Sequence, residues 1–333
     1  MHKEKIYYDD DAKLENLNNL KVGIIGYGVQ GRAQALNLRD SNINLAISNR
    51  TDRYLDLIQE DGFINQPIEE LVSNTDIIML LIPDQAHKNI FNNYILPNIK
   101  EGSMLVVAHG YSLYYKTIAP PETIDVTLLA PRMPGYPIRE SYLKDGGIPA
   151  FMDIVQDFSK YAEEKVLGLA KALGFTRAGV LRVDYKIETE LDLYIEQILS
   201  VSFLKAITES FHVLTRDYNY PPVATLLELY ASGEMGQVLL KAAKDGITGT
   251  FKNNASPTCQ YGMAINYKTS METNLRERID SVLNSIKSGL FATQLNEEGD
   301  NNYPQVNQLW KRIESDLLLD TQKFINENFK DYK

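Results

Sequence analysis

A strand-like run, a glycine-rich turn and a helix-like segment follow one another near the start of the chain. Residues 21–26 (KVGIIG) have the β-branched character of a strand, and residues 30–39 (QGRAQALNLR) have helical spacing. The turn between them fits the pattern GxGxxG, in which the glycines allow a tight turn, a close backbone approach to a pyrophosphate and close helix packing. An ordinary glycine-rich turn is the alternative. The pattern predicts a dinucleotide-binding loop made of Gly26, Tyr27, Gly28, Val29, Gln30 and Gly31.

Strand-length and helix-length segments alternate through the first half of the chain. The strand-like runs are residues 21–26, 44–48, 76–82, 103–108 and 125–130, and helical spacing is found at residues 30–39, 54–61 and 84–94. This alternation is typical of a parallel sheet with helices on both faces. Residues 1–182 are therefore predicted to form a Rossmann-type α/β domain with a doubly wound parallel sheet.

The second half of the chain has a different character. Long helical stretches cover about residues 187–240 and 270–330, and strand-like runs are almost absent. No flexible linker separates the two halves. Residues 183–333 are therefore predicted to form an all-helical domain.

Composition narrows the class of protein. The net charge is −10 over 333 residues, whereas a nucleic-acid surface needs clustered Lys and Arg. The longest purely apolar run is residues 77–82, far short of the roughly 20 residues that span a bilayer, and residues 1–11 lack the apolar core of a signal peptide. Cys259 is the single cysteine, and four histidines lie scattered. These features predict a cytoplasmic enzyme with neither a nucleic-acid nor a membrane partner.

The segment after the second strand-like run bears on the choice of cofactor. An NAD site usually carries Asp or Glu there, to bind the ribose 2′-hydroxyl. Asn49 and Arg50 occupy that place and Arg53 follows, and guanidinium groups suit a 2′-phosphate. The segment therefore favours NADPH, held by Arg50 and Arg53. A solvated loop is the alternative reading, and Asp52 keeps NADH open.

An acidic face marks the first helix of the second half, residues 186–206. Glu188, Asp192 and Glu196 are spaced i, i+4 and i+8, which places them on one side of a helix. The helix is apolar around most of its circumference, so we expect it to be largely buried. Buried carboxylates need neutralising cations. Mg²⁺ and Arg or Lys side chains from neighbouring elements both satisfy that need, and the spacing does not choose between them.

Motifs in both halves resemble one family in order and spacing. They are GYGVQGRAQALNLRDS (26–41), LLIPDQ (80–85), AHGYS (108–112), APRMPGY (130–136), RAGV (177–180), KIETELDLYIEQ (186–197) and SIKSGLFA (285–292). In these motifs the chain resembles the short, class I ketol-acid reductoisomerases over nearly its full length. The resemblance implies a knotted helical C-terminal domain. It also implies reduction of 2-acetohydroxy acids in branched-chain amino-acid synthesis, in which a Mg²⁺-driven alkyl migration precedes reduction by NADPH.

The resemblance also assigns residues. It implies that Asp192 bridges two Mg²⁺ ions, that Glu196 binds one of them, and that Glu228 comes from the partner subunit of a homodimer with shared active sites. A higher oligomer stays open. Ser256 matches the substrate-contacting serine, and His109 matches the histidine near the nicotinamide. The remaining cofactor positions implied by the resemblance are Asp84, Gln85, His87 and Gly135.

Two departures from the family fall at the expected chemistry. Arg132 stands where the family has a lysine that helps to move a proton, and arginine does not deprotonate. Ser232 stands where the family has a second glutamate on the partner helix, so the second Mg²⁺ is in doubt. Glu234 could replace that ligand only if Gly233 breaks the helix.

These departures leave two functional hypotheses. The first is a ketol-acid reductoisomerase that uses NADPH and Mg²⁺, with Arg132 among its catalytic residues. The alternative is a diverged reductase that has lost the alkyl migration and reduces a keto acid or an imine in a specialised pathway. Reduction needs positioning and one electrophile, whereas migration needs the charge of the dinuclear site.

Overall fold

The computed structural model describes residues 5–266 and 275–328. The chain divides into two compact units, Met1–Leu191 and Asp192–Lys333. The predicted helical stretch at residues 270–330 therefore lies partly outside the described residues, as does the start of the chain.

Eight strands of the described first unit form one sheet. They are β1 (Ile6–Tyr7), β2 (Lys21–Ile25), β3 (Asn44–Ser48), β4 (Ile77–Leu80), β5 (Met104–Val107), β6 (Asp125–Pro131), β7 (Ala150–Gln156) and β8 (Val180–Arg182). Their order is β1-β8-β7-β6-β5-β4-β2-β3. Strands β2 to β6 pair in parallel, whereas β7 is antiparallel to β6 and β1 is antiparallel to β8.

The central strands are buried on both faces. Alternate residues enter opposite apolar clusters, so that Ile77 and Met79 pack on one face of the sheet while Ile78 and Leu80 pack on the other. This burial explains why β4 and β5 are continuous apolar runs in the sequence, since a parallel strand covered on both sides has no polar face. The helices of this unit are α1 (Val29–Asp40), α2 (Leu55–Glu60), α3 (Ile68–Ser73), α4 (Asp84–Ile90), α5 (Tyr111–Tyr114), α6 (Gly135–Leu143), α7 (Ala162–Ala172) and α8 (Tyr185–Tyr194).

The described part of the second unit is helical and contains no strand. Its helices are α9 (Val201–Arg216), α10 (Pro222–Leu226), α11 (Glu234–Asp245), α12 (Ile247–Asn254), α13 (Pro257–Asn266), α14 (Leu275–Ser288), α15 (Leu290–Asp300), α16 (Pro304–Ile313) and α17 (Asp316–Asn328). Two π-helical segments, Ile195–Ser200 and Leu227–Ala231, join α8 to α9 and extend α10. Phe211 and Leu226 are fully buried between α9 and α10.

The predicted α/β fold with a helical second half is confirmed. The strands β1, β7 and β8 were not predicted; β7 joins β6 and β1 joins β8 in antiparallel pairings, whereas β7 and β8 pair in parallel. Only Ala150 and Met152 of β7 are fully buried and its other residues are half-buried, Asp153 among them, so β7 lacks the continuous apolar run of β4.

The prediction that helix 186–206 is largely buried is wrong for this chain. Leu199 and Phe203 are 58% and 48% exposed, and only 22% of the helix's most apolar stretch is buried. By length and composition alone, the continuous helix Tyr185–Arg216 is the one described segment that could cross a membrane, which is weak evidence for a span.

Candidate functional site

A cavity of about 620 Å³ opens at the carboxyl ends of the parallel strands β2, β3 and β4. This edge is where open α/β sheets bind their ligands. The cavity is bounded by the turn after β2, the loop after β3, the segment before α3 and the start of α4. Its lining comprises Ile25, Gly26, Gly28, Ser48, Asn49, Arg50, Asp52, Tyr54, Asn65, Gln66, Pro67, Ile68, Leu81, Ile82, Pro83, Ala86 and Ile90.

The glycine turn has the shape of a dinucleotide cradle. Gly26 adopts a φ of +104°, and a Cβ there would lie 2.5 Å from the Leu81 carbonyl oxygen. A Cβ on Gly31 would lie 1.9 Å from the Gly26 carbonyl oxygen, so α1 packs directly on the turn. Gly28 differs, because a Cβ there would meet no atom within 4 Å. Open space beside Gly28, at the amino end of α1, fits a pyrophosphate.

Tyr27 and Gln30 of the motif hold the turn through hydrogen bonds to neighbouring segments. The buried Tyr27 donates its hydroxyl to Asp61 Oδ2 at 2.8 Å, and its backbone N–H donates to Asn49 Oδ1 at 2.9 Å. Burial is the main cause that raises the pKa of the Tyr27 phenol, followed by the Asp61 carboxylate. Gln30 Nε2 donates to the Met133 carbonyl oxygen at 2.9 Å. The side chains of Tyr27 and Gln30 therefore hold the turn and the loop beside it, and their contact with the cofactor stays a prediction.

Gly135 also serves close packing. A Cβ on Gly135 would lie 2.0 Å from the Val29 carbonyl oxygen. The loop between β6 and α6 therefore lies directly against the first turn of α1, which only glycine permits. This contact brings the segment that contains Arg132 to the cofactor edge of the sheet.

The loop after β3 is organised around Asp52. Its Oδ1 accepts from Asn49 Nδ2 at 3.0 Å and from the Tyr54 N–H at 2.9 Å, and its Oδ2 accepts from Arg50 Nε at 3.1 Å. Desolvation would raise the pKa of Asp52, but the Tyr54 N–H, Arg50 and Asn49 together hold it below its usual range. Arg53 stacks on the Tyr54 ring at 4.9 Å. The cavity thus presents a carboxylate beside Arg50, and Arg53 is outside its lining.

Helix α4 presents two different faces. Ala86 and Ile90 line the cavity together with Pro83, which precedes the helix, whereas the predicted cofactor residues Asp84 and His87 are not part of the lining. Asp84 Oδ2 lies 2.9 Å from His109 Nδ1, and His87 is buried against Ser112. Gln85 is exposed at the surface of the helix.

A second polar cluster lies at the ends of β5 and β6. Arg132 Nη2 donates to Glu188 Oε1 at 2.8 Å, and the Gly110 N–H donates to Glu188 Oε2 at 3.0 Å. The Arg132 guanidinium also lies 4.8 Å from the centre of the Phe151 ring. Glu188 is fully buried, so its charge is compensated by a protein cation. The acidic helix was expected to be neutralised either by Mg²⁺ or by Arg or Lys side chains, and for Glu188 the cation is Arg132.

The predicted metal ligands lie in the second unit. Asp192 is half-buried, Glu196 is exposed in the π-helical segment Ile195–Ser200, and Glu228 is exposed in the π-helical segment Leu227–Ala231. Segments of π-helix are frequent at functional sites. Across residues 5–266 and 275–328, no three His, Cys, Asp or Glu side chains come together to hold a metal ion. Their carboxylate oxygens are nevertheless the donors that Mg²⁺ prefers.

The helix that contains Glu228 breaks where the family's second glutamate is missing. Gly233 adopts a φ of +79°, the left-handed region, and α11 begins at the exposed Glu234. The break required for Glu234 to replace Ser232 as a ligand is therefore present. Ser256 precedes α13, and its Oγ accepts from the Cys259 N–H at 3.2 Å.

Several site residues were missed by sequence reasoning. Residues 65–68 also line the cavity although they carry no motif, and a bridge between Ile47 and Asn65 joins this segment to β3. Asn65 also exchanges two hydrogen bonds with the backbone of Asn49. Ser112 gave no signal beyond its proximity to His109 in sequence.

Comparison with known proteins places both halves of the chain in one family. Residues 16–179 match the family described as acetohydroxy acid isomeroreductase, NADPH-binding domain, and residues 185–330 match the ketol-acid reductoisomerase C-terminal domain. The chain is 35% identical over 324 residues to a ketol-acid reductoisomerase (NADP(+)) of Sulfurisphaera tokodaii, covering 97% of both chains. It is 34% identical over 325 residues to the same enzyme of Pyrococcus abyssi, again covering 97% of both.

A solved structure is similar over the full length. The structure of an NADH-preferring ketol-acid reductoisomerase from an uncultured archean superposes with a TM-score of 0.92 at 29% identity. The match covers 98% of this chain and all of that one.

Proposed function

The chain belongs to the ketol-acid reductoisomerase family, and from that premise we propose that it converts 2-acetohydroxy acids to 2,3-dihydroxy acids with NADPH and Mg²⁺. The observation that carries this function is the full-length similarity, which includes both the nucleotide-binding half and the helical half. The glycine cradle supports it independently, since open space beside Gly28 suits a pyrophosphate.

The residues that hold the two cofactors are part of the proposal. Residues 1–182 form the nucleotide domain, in which residues 26–31 and Arg50 bind NADPH. Residues 183–333 form the metal and dimerisation domain, in which Asp192 and Glu196 bind Mg²⁺. When bound, NADPH supplies a hydride and Mg²⁺ supplies Lewis-acid polarisation of the substrate oxygens. Ser256 would bind the substrate, and His109 and Arg132, which follow β5 and β6, would lie near the nicotinamide when the cofactor is bound.

A homodimer with shared sites completes the metal centre in this proposal. One described chain does not assemble three metal-ligating side chains, so the partner subunit's Glu228 supplies the third. The exposed apolar face of α9, which includes Leu199 just before it and Phe203, supports association with a second copy, because such a surface is costly in water. A cytoplasmic location fits an enzyme that uses NADPH and a small substrate.

The alternative function, a reductase without the alkyl migration, has one observation in its favour. Arg132 is held by buried Glu188 and stacked on Phe151, which leaves its charge fixed and its protons unavailable for transfer. With Ser232 in place of a carboxylate, the second Mg²⁺ would also bind more weakly unless Glu234 replaces it.

The cavity also has a feature that suits NADH. The Asp52 carboxylate lines the cavity beside Arg50, and a carboxylate there accepts from a ribose 2′-hydroxyl but repels a 2′-phosphate. The structurally similar archaeal enzyme prefers NADH. We therefore propose that NADPH is used but that NADH is accepted as well.

The experiment that tests the function is NADPH oxidation with 2-acetolactate in the presence of Mg²⁺. We expect turnover that EDTA abolishes and added Mg²⁺ restores. Asp192→Asn, which keeps the size of the side chain, should lose turnover, whereas the exposed substitution Asp56→Asn on α2 should not. Turnover that survives EDTA, or that Asp192→Asn leaves intact, would contradict the proposal.

A further inference from the structure

Two histidines flank one carboxylate at the ends of β4 and β5. Asp84 is the first residue of α4, directly after β4, and His109 follows β5. Asp84 Oδ2 lies 2.9 Å from His109 Nδ1, and Asp84 Oδ1 lies 3.9 Å from His87 Nδ1. A carboxylate only accepts hydrogen bonds, so His109 Nδ1 carries a proton. In the neutral His109 ring, the lone pair is therefore on Nε2.

His87 has one possible protonation pattern as a neutral ring. Its Nε2 lies 3.0 Å from the Ile82 carbonyl oxygen, which only accepts, so Nε2 donates. Its Nδ1 therefore accepts from the Ser112 hydroxyl at 2.7 Å. His87 is 2% exposed, and burial lowers its pKa, which keeps the ring neutral. The His87–Ser112 bond thus ties the start of α4 to the turn that contains His109.

Other groups hold that turn from the opposite side. The Gly110 N–H donates to buried Glu188, which is itself paired with Arg132. A Cβ on Gly110 would lie 2.3 Å from Thr189 Oγ1, so the turn packs closely on α8. The Tyr111 ring centre lies 6.0 Å from that of His109. Burial, with contributions from Tyr115 and Asp84, raises the pKa of Tyr111 to about 12, so its phenol stays neutral.

We propose that Asp84 is a positioning residue that fixes His109 with Nδ1 protonated, so that Nε2 is the ring atom that exchanges a proton with the substrate oxygen. His87 and Ser112 keep the ends of β4 and β5 at the spacing that this contact needs. The substrate hydroxyl gives its proton to Nε2, which makes the ring an imidazolium, and Nε2 later returns that proton to the oxygen. Nδ1 keeps its own proton, so Asp84 remains a carboxylate throughout. The proton-exchange part of this inference rests on the proposed function, whereas the protonation pattern of the ring does not.

The protonation pattern can be measured directly. Long-range proton–nitrogen NMR correlations report which ring nitrogen carries the proton, and the chain has only four histidines to assign. We expect His109 protonated at Nδ1 and His87 protonated at Nε2 in the whole protein near pH 7.5. A His109 ring protonated at Nε2 alone would overturn the proposal, whether or not any substrate is turned over.

Kinetics test the positioning role. Asp84→Asn should lower kcat by about 10- to 100-fold, less than the roughly 10²- to 10⁴-fold contribution of an acid–base group itself, while the KM for the keto acid changes less than about threefold. The part of the pH profile of kcat that depends on His109 is the part that His109→Gln abolishes. In Asp84→Asn this part should move to a pH about one unit lower, because the variant lacks the Asp84 carboxylate charge that stabilises the His109 imidazolium. Lys88→Ala, on the exposed face of the same helix, is the control and should change neither.

The outcomes separate positioning from stability. Ser112→Ala should lower the unfolding temperature and kcat without changing which His109 nitrogen is protonated. An Asp84→Asn variant with unchanged kcat and pH profile would overturn the positioning role. If the wild-type protein turned over neither 2-acetolactate nor the migrated keto acid, the proposed function would fail, and the NMR result would still decide the Asp84–His109 relationship.

Discussion

Arg132 Nη2 lies 2.8 Å from Glu188 Oε1, and the Glu188 side chain has no exposed surface. This ion pair joins the end of β6 to α8 within the first unit. Because Glu188 also accepts from the Gly110 N–H, it connects the strand ends that carry His109 and Arg132. Arg132 therefore fixes a permanent charge at the end of β6.

Removal of Arg132 should destabilise the first unit. Arg132→Met leaves buried Glu188 without its cation, and breaking a buried pair costs about 3 kcal/mol or more. That cost corresponds to a fall in unfolding temperature of about 6–12 °C for a unit of this size, measurable by calorimetry. Arg132→Lys keeps the charge and should lose less. If Arg132→Met with Glu188→Gln were no more stable than Arg132→Met alone, the ion pair would not be the cause.

The carboxylate ligand missing at Ser232 should limit metal binding. Ser232→Glu combined with Arg132→Lys should raise turnover of 2-acetolactate and tighten Mg²⁺ binding in calorimetric titration, because an added carboxylate ligand strengthens the site. Glu234→Gln should weaken Mg²⁺ binding if the chain break at Gly233 lets Glu234 act as the replacement. No gain from the double variant would locate the limit elsewhere.

Cofactor choice should depend on the charges at the loop after β3. Arg50→Asp should raise the KM for NADPH at least about tenfold through loss of a charge-assisted bond to the 2′-phosphate, with a much smaller effect on NADH. Asp52→Asn should lower the KM for NADPH and raise that for NADH. Equal changes in the KM for NADPH and for NADH would show that these residues do not recognise the 2′-phosphate. Asp56→Asn is the control and should change neither KM.

Association should depend on the exposed apolar face near α9. Phe203→Asp places a charge on that face and should shift the protein from dimer to monomer in light scattering. Turnover of 2-acetolactate should fall with it, since the proposed site needs the partner subunit's Glu228. Ile64→Asp, at a 77% exposed position of the first unit, should leave both unchanged. A Phe203→Asp variant that remains dimeric would place the interface elsewhere.

The free energy of unfolding at low pH should depend on the Asp61 carboxylate, which binds Tyr27 of the glycine turn. Its bond to Arg32 at 2.6 Å, opposed by desolvation and aided by Tyr27, lowers the pKa of Asp61 below the ordinary value of 3.8. The stabilisation is therefore complete above pH 3.8 and is lost as pH falls through the lower folded value. Asp61→Asn should cost about 1–2 kcal/mol near pH 7, discounted because Arg32 is partly exposed. In urea unfolding, the difference from wild type should shrink below pH 3.8 and not between pH 5 and 8.

Much of the first unit follows from its sequence. The strands β2 and β3 begin at Lys21 and Asn44, as predicted, because the residues that follow in each strand are mostly apolar and buried. The glycine turn was predictable because Gly26 and Gly31 each allow a close approach of backbone atoms, while Gly28 leaves open space for a ligand. β7 and β8 escaped prediction because they are less completely buried and show no such run.

The remainder depends on tertiary contacts that sequence spacing does not encode. Nothing in the pattern says that Arg132 meets Glu188 or that Asp84 meets His109, since 56 and 25 residues separate the partners. The helix 186–206 was expected to be buried because it is apolar, yet its apolar face is exposed on the single chain. Sequence periodicity shows that an apolar helix face should be buried, but it does not show whether the same chain or a second copy buries it.

The most direct test of the function compares two substrates. NADPH oxidation would be followed with Mg²⁺ present, using 2-acetolactate in one assay and the already migrated 3-hydroxy-3-methyl-2-oxobutanoate in the other. The account predicts turnover of both, each abolished by chelation of Mg²⁺. Turnover of the migrated compound alone would contradict it, and would mean that with Arg132 and Ser232 in place the reduction survives without the alkyl migration.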